Sequence, residues 1–429
     1  MKIKTRELSY DKVLELAPYV HEGPRKQSIL FRKLIRLLSF WELLRVHFKY
    51  EKIGMEKLGK EEPCLILMNH SSFIDLKIVA ALFSDRPYQI VCTLDGLIGK
   101  KWLMRNLGCI PTRKFITDTA LVKDMVYTVK QLKSSIVMYP EASYSFDGTA
   151  TPLPEGLGKC LKILGVPVVM VRTYGAFHRD PLYNGLRLRK TDVSAEVKYL
   201  LSPEDIRNKK PQELNEILKE QFSFDHFQWQ KEKQVRINER FRAEGLNRVL
   251  YKCPACLAEG NMEGHGTRLI CKDCGKEYEL TEYGEMRALE GKTEISHIPY
   301  WYQWERACVR EELVNGTYRL DVPVDIYMMV NTKCIYRVGT GNLLHTKEGF
   351  HLTGCDGKLD YRQAPSASYS LYSDFFWYEI GDVICIGNTE AQYYCFPKVE
   401  GDIVAKTRLA AEELYKLTQN KRKKGESAG

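Results

Sequence analysis

Cys64-Leu65-Ile66-Leu67-Met68-Asn69-His70-Ser71-Ser72-Phe73-Ile74-Asp75 changes character twice within twelve residues. The first five residues are an apolar run of the length of a buried strand. A polar Asn-His-Ser-Ser loop follows, and helical periodicity begins at Phe73. Strand, polar loop and helix in that order are the unit of a layered α/β domain. Outward from this stretch, apolar runs recur at 89–92, 135–138 and 166–171. Helix-period stretches at 73–83, 99–107, 118–132 and 156–164 lie between them, and 193–201 adds a strand. The alternation predicts an α/β domain, a mixed sheet with helices, over residues 53–205.

Loops at strand ends are where an α/β scaffold presents reactive side chains. One turn brings the His70 imidazole within hydrogen-bond reach of the Asp75 carboxylate. A carboxylate on one ring nitrogen sets the tautomer, and the other nitrogen is then free to take a proton from a hydroxyl. The same residues also spell a capping box, Ser72 with Asp75, in which the carboxylate serves the backbone. Ser71 and Ser72 lack a nucleophile-elbow sequence and are expected to cap the helix.

Three further segments follow in order: Gly108-Cys109-Ile110-Pro111-Thr112-Arg113-Lys114, Tyr139-Pro140-Glu141-Ala142-Ser143-Tyr144-Ser145, and Leu164-Gly165-Val166-Pro167-Val168-Val169-Met170-Val171. With Asn69-His70-(x4)-Asp75 they resemble the four motifs of the phospholipid/glycerol acyltransferase family, over roughly residues 25–200. The resemblance implies an O-acyltransferase of the acyl-glycerol-phosphate type that needs no organic cofactor. His70 would be the general base and Asp75 its orienting partner. Asn69, Arg113, Lys114, Glu141, Ser143 and Tyr144 would line the substrate site. The donor would be acyl-CoA or acyl-acyl carrier protein, and the acceptor a lysophospholipid. Two positions depart from the family. If the second motif aligns without a gap, Lys114 and not Arg113 falls on its Arg, and Tyr144 stands where its third-motif Arg meets the glycerol phosphate. A Lys is a point charge and a Tyr is uncharged, so the resemblance implies the reaction more firmly than the acceptor. Arg172 and Arg179, just beyond, would be the compensating cations; otherwise they are surface charge. The rival implied by the altered motif is a non-catalytic lipid-binding scaffold on the same fold.

Residues 1–52 contain a basic amphipathic block at 25–50. Leu30, Phe31, Leu34, Leu37 and Leu38 share one helical face, and Arg25, Arg32, Lys33 and Arg36 the other. The apolar arc rotates after Ser39, so 40–50 reads as a second or bent helix. With Phe31, Phe40 and Trp41, this block is suited to a membrane surface. No apolar run reaches the ~18 residues of a spanning helix. Net charge is +9, which favours anionic partners. The 13 cysteines are mostly scattered and no secretory signal reads at the start. The expected location is cytoplasmic, peripheral on the cytoplasmic face of the membrane.

Residues 206–250 read as a helical connector, including a helix at 229–244. At 251–281, Cys253-Pro254-Ala255-Cys256 and Cys271-Lys272-Asp273-Cys274 are separated by fourteen residues. Four thiolates at that spacing make a tetrahedral set, so a zinc ribbon with structural zinc is expected. Iron, or a redox-active pair, is the alternative. A ribbon can also bind nucleic acid, but no basic and aromatic residues interleave as a stacking platform, so nucleic acid is not an expected partner. Residues 282–419 cluster Tyr, Val, Ile and Thr in short runs, with turns expected at Gly339-Thr340-Gly341-Asn342 and Asp356-Gly357. A small β-rich domain closed by a helix at 402–419 resembles a pleckstrin-homology-like order of elements. Residues 420–429 read as a disordered tail.

Overall fold

The computed structural model describes residues 3–116, 118–399 and 401–423. Strand β1 (Thr5–Glu7) and helix α1 (Tyr10–Leu14) come first, then α2 (Ile29–Arg45). Seven strands form the next sheet: β2 (Lys49–Ile53), β3 (Leu65–Met68), β4 (Tyr88–Thr93), β5 (Cys109–Thr112), β6 (Ser135–Met138), β7 (Val168–Tyr174) and β8 (Ser194–Leu201). Their order is β2-β8-β7-β3-β6-β4-β5. All neighbours are parallel except β7 and β8, so the sheet is mixed. β3 lies at its centre with every residue at 0% exposure. Each such side chain contributes about 1.5–3 kcal/mol by leaving water. Two apolar clusters cover the two faces. They hold the helices α3 (Asp75–Leu82), α5 (Thr119–Lys130) and α6 (Leu157–Leu164), while α4 (Lys101–Asn106) precedes β5. The stretch 109–112 was legible as a motif but not as a strand. Its Pro111 is tolerated because β5 is the edge.

The block at 25–50 is one helix through Arg45, not two, and β2 follows it. Only Ser39 and Leu43 of α2 are buried. Leu30, Leu34, Leu37, Leu38, Phe40, Trp41 and Leu44 are all exposed, with Trp102 on α4 exposed beside Phe31. Most of the apolar face is thus left unpacked, with Leu43 and Phe31 as its contacts to the domain. Among the described residues no helix is long and apolar enough to cross a membrane.

After α7 (Ala176–Arg179), the connector contains α8 (Pro203–Asn208), α9 (Pro211–Phe222) and α10 (His226–Glu232). The expected helix at 229–244 ends at Glu232. Gln234 has φ of 51°, and the following backbone bonds elsewhere: Ile237 N–H to Glu282 O, Ala243 N–H to Gly266 O. Long-range bonds here override helical propensity. A four-stranded antiparallel sheet follows: β9 (Met262–His265), β10 (Arg268–Cys271), β11 (Glu277–Leu280) and β12 (Met286–Ala288). It runs past the boundary expected at 281.

The β-rich region opens on a helix that was not foreseen, α11 (Ile298–Asn315). Its buried Ile298, Trp301, Tyr302, Glu305, Val309 and Leu313 recur at helical spacing, a signal masked by the surrounding β-forming residues. Then come β13 (Leu320–Met329), β14 (Ile335–Thr346), β15 (Gly349–Gly354), β16 (Leu359–Gln363), β17 (Tyr372–Trp377), β18 (Gly381–Gly387) and β19 (Gln392–Pro397). Their order is β16-β15-β14-β13-β19-β18-β17, with β1 added parallel to β14. The turn expected at 339–342 is absent: these residues continue β14 through a bulge opposite Ile326/Tyr327. Gly341 is required there because a Cβ would sit 2.1 Å from Thr353 O. Asp356-Gly357 does form a turn. Helix α12 (Val404–Lys423) closes the region. It extends into the stretch read as a tail, whose residues 424–429 lie outside the described residues. One apolar core runs from Phe177 through the cysteine module and α11 into α12, and another joins Leu94, Ile98 and Phe115 to Tyr372 and Trp377.

Candidate active site

The loop after β3 leaves the sheet at the carboxyl end of its central parallel strand, where open α/β sheets present ligand sites. Asn69 ties that loop to β7: its Oδ1 accepts from Thr173 N at 2.9 Å, and its Nδ2 donates to Ser71 Oγ at 2.9 Å. His70 Nδ1 lies 3.0 Å from Asp75 Oδ2. The same oxygen accepts the backbone N–H groups of Ser71 at 2.9 Å and Ser72 at 3.1 Å. Asp75 therefore caps the loop and holds the imidazole through one atom. The Asp75 side chain is 2% exposed and that of His70 21%. The serine hydroxyls do not share the capping role equally. Ser72 Oγ accepts from Ile74 N at 3.2 Å and donates to Asp180. Ser71 Oγ accepts from Asn69 and lies 3.3 Å from His226 Nε2.

The loop after β6 covers His70. Glu141 Oε2 accepts from His70 N at 2.9 Å and Oε1 from Thr151 N at 2.9 Å. Burial pushes the Glu141 carboxyl up to about 7 despite these two donors. Tyr139 and Tyr144 lie over the imidazole with centroid distances of 4.4 and 4.1 Å. Ala142 between them has φ of 56°, a left-handed conformation that L-residues rarely adopt. Ser143 Oγ accepts from Arg408 Nη2 at 2.9 Å.

His70, Asp75, Asn69, Glu141 and Tyr144 are thus drawn together. Lys114 meets a different surrounding. Its Nζ lies 4.2 Å from the centre of the Tyr372 ring on β17, and burial lowers its pKa. Asp374 nearby is pushed up to about 7 by burial. Arg113 is half-buried beside Lys114. The two compensating cations are committed elsewhere. Arg172 donates to Gln221 O and lies over Phe224. Arg179 pairs with Asp180 at 3.0 Å and with Glu42 of α2. Tyr139, Asp180, His226 and Arg408 were not foreseen. Tyr139 opens the third motif, but the other three are brought in from 105 to 333 positions further along the chain than Asp75.

In the cysteine module, the four Sγ atoms of Cys253, Cys256, Cys271 and Cys274 lie within 4.8 Å of one another. Cys253 and Cys274 are 3.8 Å apart, Cys256 and Cys271 3.7 Å. A tetrahedron of thiolates about 2.3 Å from a metal has edges of about 3.8 Å, so this cluster has room for one ion. His265 is exposed on β9 and outside the cluster.

Residues 49–173 match the family model Acyltransferase, so the chain carries an acyltransferase-family domain there. Among solved structures, the chain is similar to the 1-acyl-sn-glycerophosphate (LPA) acyltransferase PlsC from Thermotoga maritima. Identity is 19%, the match covers 48% of this chain and 80% of that one, and the TM-score is 0.38.

Proposed function

We propose that the chain is a membrane-peripheral O-acyltransferase. It moves a fatty acyl group from an acyl thioester, acyl-CoA or acyl-acyl carrier protein, to the hydroxyl of a lysophospholipid or glycerol-phosphate-type acceptor. The observation that carries this is the 3.0 Å contact of His70 with Asp75 inside the acyltransferase-family domain. With Nδ1–H donated to Asp75, His70 Nε2 takes the acceptor's proton as its oxygen attacks the thioester carbonyl. The tetrahedral adduct collapses, the C–S bond breaks, and the thiolate leaves and recovers the proton from His70. Thiols have pKa values near ~8.5, so the leaving group needs little acid assistance. Glu141 holds the His70 backbone, and Tyr139 and Tyr144 restrict the ring's rotation.

The exposed apolar face of α2 supports the membrane reading, and the cytoplasmic side is the one proposed. A bilayer headgroup zone buries such a face while Arg25, Lys33 and Arg36 meet lipid phosphates. The four cysteines would hold a structural zinc in a ribbon. Seven antiparallel strands followed by α12 support the pleckstrin-homology-like reading of the C-terminal region. A second reading, lipid binding without turnover, is favoured by the tyrosines over both faces of His70 and the placement of Lys114 against Tyr372.

The test is thiol release from palmitoyl-CoA and from palmitoyl-acyl carrier protein with a panel of lysophospholipids. Wild type releases thiol with at least one of them, and His70→Ala, with unchanged metal content and melting temperature, releases none. Full activity in a folded His70→Ala protein sinks the mechanism. Lipid bound without thiol release selects the second reading.

A further inference from the structure

Helix α12 reaches back to the loop beside His70 through one residue. Arg408 is 3% exposed and lies 265 positions from Ser143 in the chain. Its Nη2 donates to Ser143 Oγ at 2.9 Å, and its guanidinium lies over the Phe146 ring at 4.4 Å from the centroid. Its Nε bonds Glu412 at 3.2 Å. Glu412 is shared, since it also pairs with Arg306 at 2.8 Å and accepts from Ser370 Oγ at 2.6 Å. Arg408 Nη1 is buried and has no hydrogen-bond partner. A buried guanidinium with an unused donor is costly to the fold. Stability alone does not explain its placement.

What Arg408 touches is more informative. Ser143 and Phe146 flank Tyr144, the ring stacked on His70, and follow Glu141, which bonds the His70 backbone. Ala142, at φ of 56°, gives this loop a conformation it does not favour on local grounds. Phe375, stacked on Phe146 at 4.5 Å, adds a second hold on this loop from the C-terminal region.

We propose that Arg408 is a positioning residue for the acyl acceptor: from the far end of the chain it fixes the loop 141–146, and with it the Tyr144 ring over His70. This rests on the reading of that loop as the acceptor side of the site. The C-terminal region is then part of the machinery and not an appended module.

The test compares wild type with Arg408→Met, of similar length but uncharged, and Arg408→Lys. Two readouts are taken on the full chain: KM for lysophosphatidic acid and for palmitoyl-CoA, and hydrogen exchange of peptides covering 139–147 and 64–68. Loss of a charge-assisted hydrogen bond predicts a rise of about tenfold in acceptor KM for Arg408→Met, with thioester KM unchanged. Exchange at 139–147 accelerates while 64–68 stays protected, and Arg408→Lys recovers most of both effects. Unchanged acceptor KM and unchanged exchange overturn the proposal. So does acceleration equal across both peptides, which marks general destabilisation. If wild type acylates no lysophospholipid, the acceptor reading fails, and the exchange arm still decides whether Arg408 holds the loop.

Discussion

Asp75→Asn separates the two roles that one oxygen performs. Asp75 Oδ2 accepts from His70 Nδ1, Ser71 N and Ser72 N at 3.0, 2.9 and 3.1 Å. An amide oxygen in the same place can accept all three. The amide nitrogen would take the place of Oδ1, which is already buried without a partner. The loop should therefore survive, with stability changed by about 1 kcal/mol or less. What disappears is the negative charge that, in the proposed mechanism, would stabilise the imidazolium as the proton arrives. General-base assistance contributes roughly 10²–10⁴ in rate, so kcat should fall by about that factor. Asp75→Ala differs because it also leaves two buried N–H groups without an acceptor, at about 1–3 kcal/mol each. It should lose activity and several degrees of melting temperature together. Thiol release at saturating lysophospholipid, with denaturant unfolding of each variant, measures both quantities. Turnover of Asp75→Asn within about threefold of wild type would refute the dyad, since Asp75 would then be only a cap.

Ala142→Val places a β-branched residue at φ of 56° and should destabilise by about 1–2 kcal/mol, whereas Ala142→Gly should not; equal stability of the Val variant in denaturant unfolding contradicts the strain argument. His178 is buried and its pKa is pushed down to about 4 from 6.5. The unfolded chain takes up that proton first, so stability present above pH 6.5 is lost as pH falls towards 4, by about 3 kcal/mol. Glu141 and Asp374, both pushed up to about 7, act in the opposite sense, so the readout is the difference between the two proteins: between pH 6.5 and 4, His178→Gln should keep about 3 kcal/mol that wild type loses. The protein should hold one metal ion per chain, and Cys256→Ser should lose it and melt earlier, because the module shares its core with α11 and α12; a metal-free protein with an unchanged melt excludes a structural ion.

The amino-acid sequence by itself determined what depends on near neighbours along the chain. His70 and Asp75 are five positions apart, and the strand–loop–helix turn between them brings them together. The two cysteine pairs each sit on a short knuckle, and the alternation of apolar runs with helical periods marks the sheet domain. The rest depended on contacts between distant positions. The same apolar period of α2 describes a face packed on the protein or a face left exposed; only the assembled surface shows that it is exposed. Lys114 reads as a free cation until Tyr372 is placed under it, 258 positions away. Arg408 is one of many arginines in the sequence, and its contact with Ser143 exists only because one core carries α12 back to the acyltransferase domain. Local spacing encodes adjacency within a turn of chain, whereas burial and charge pairing are properties of the packed whole.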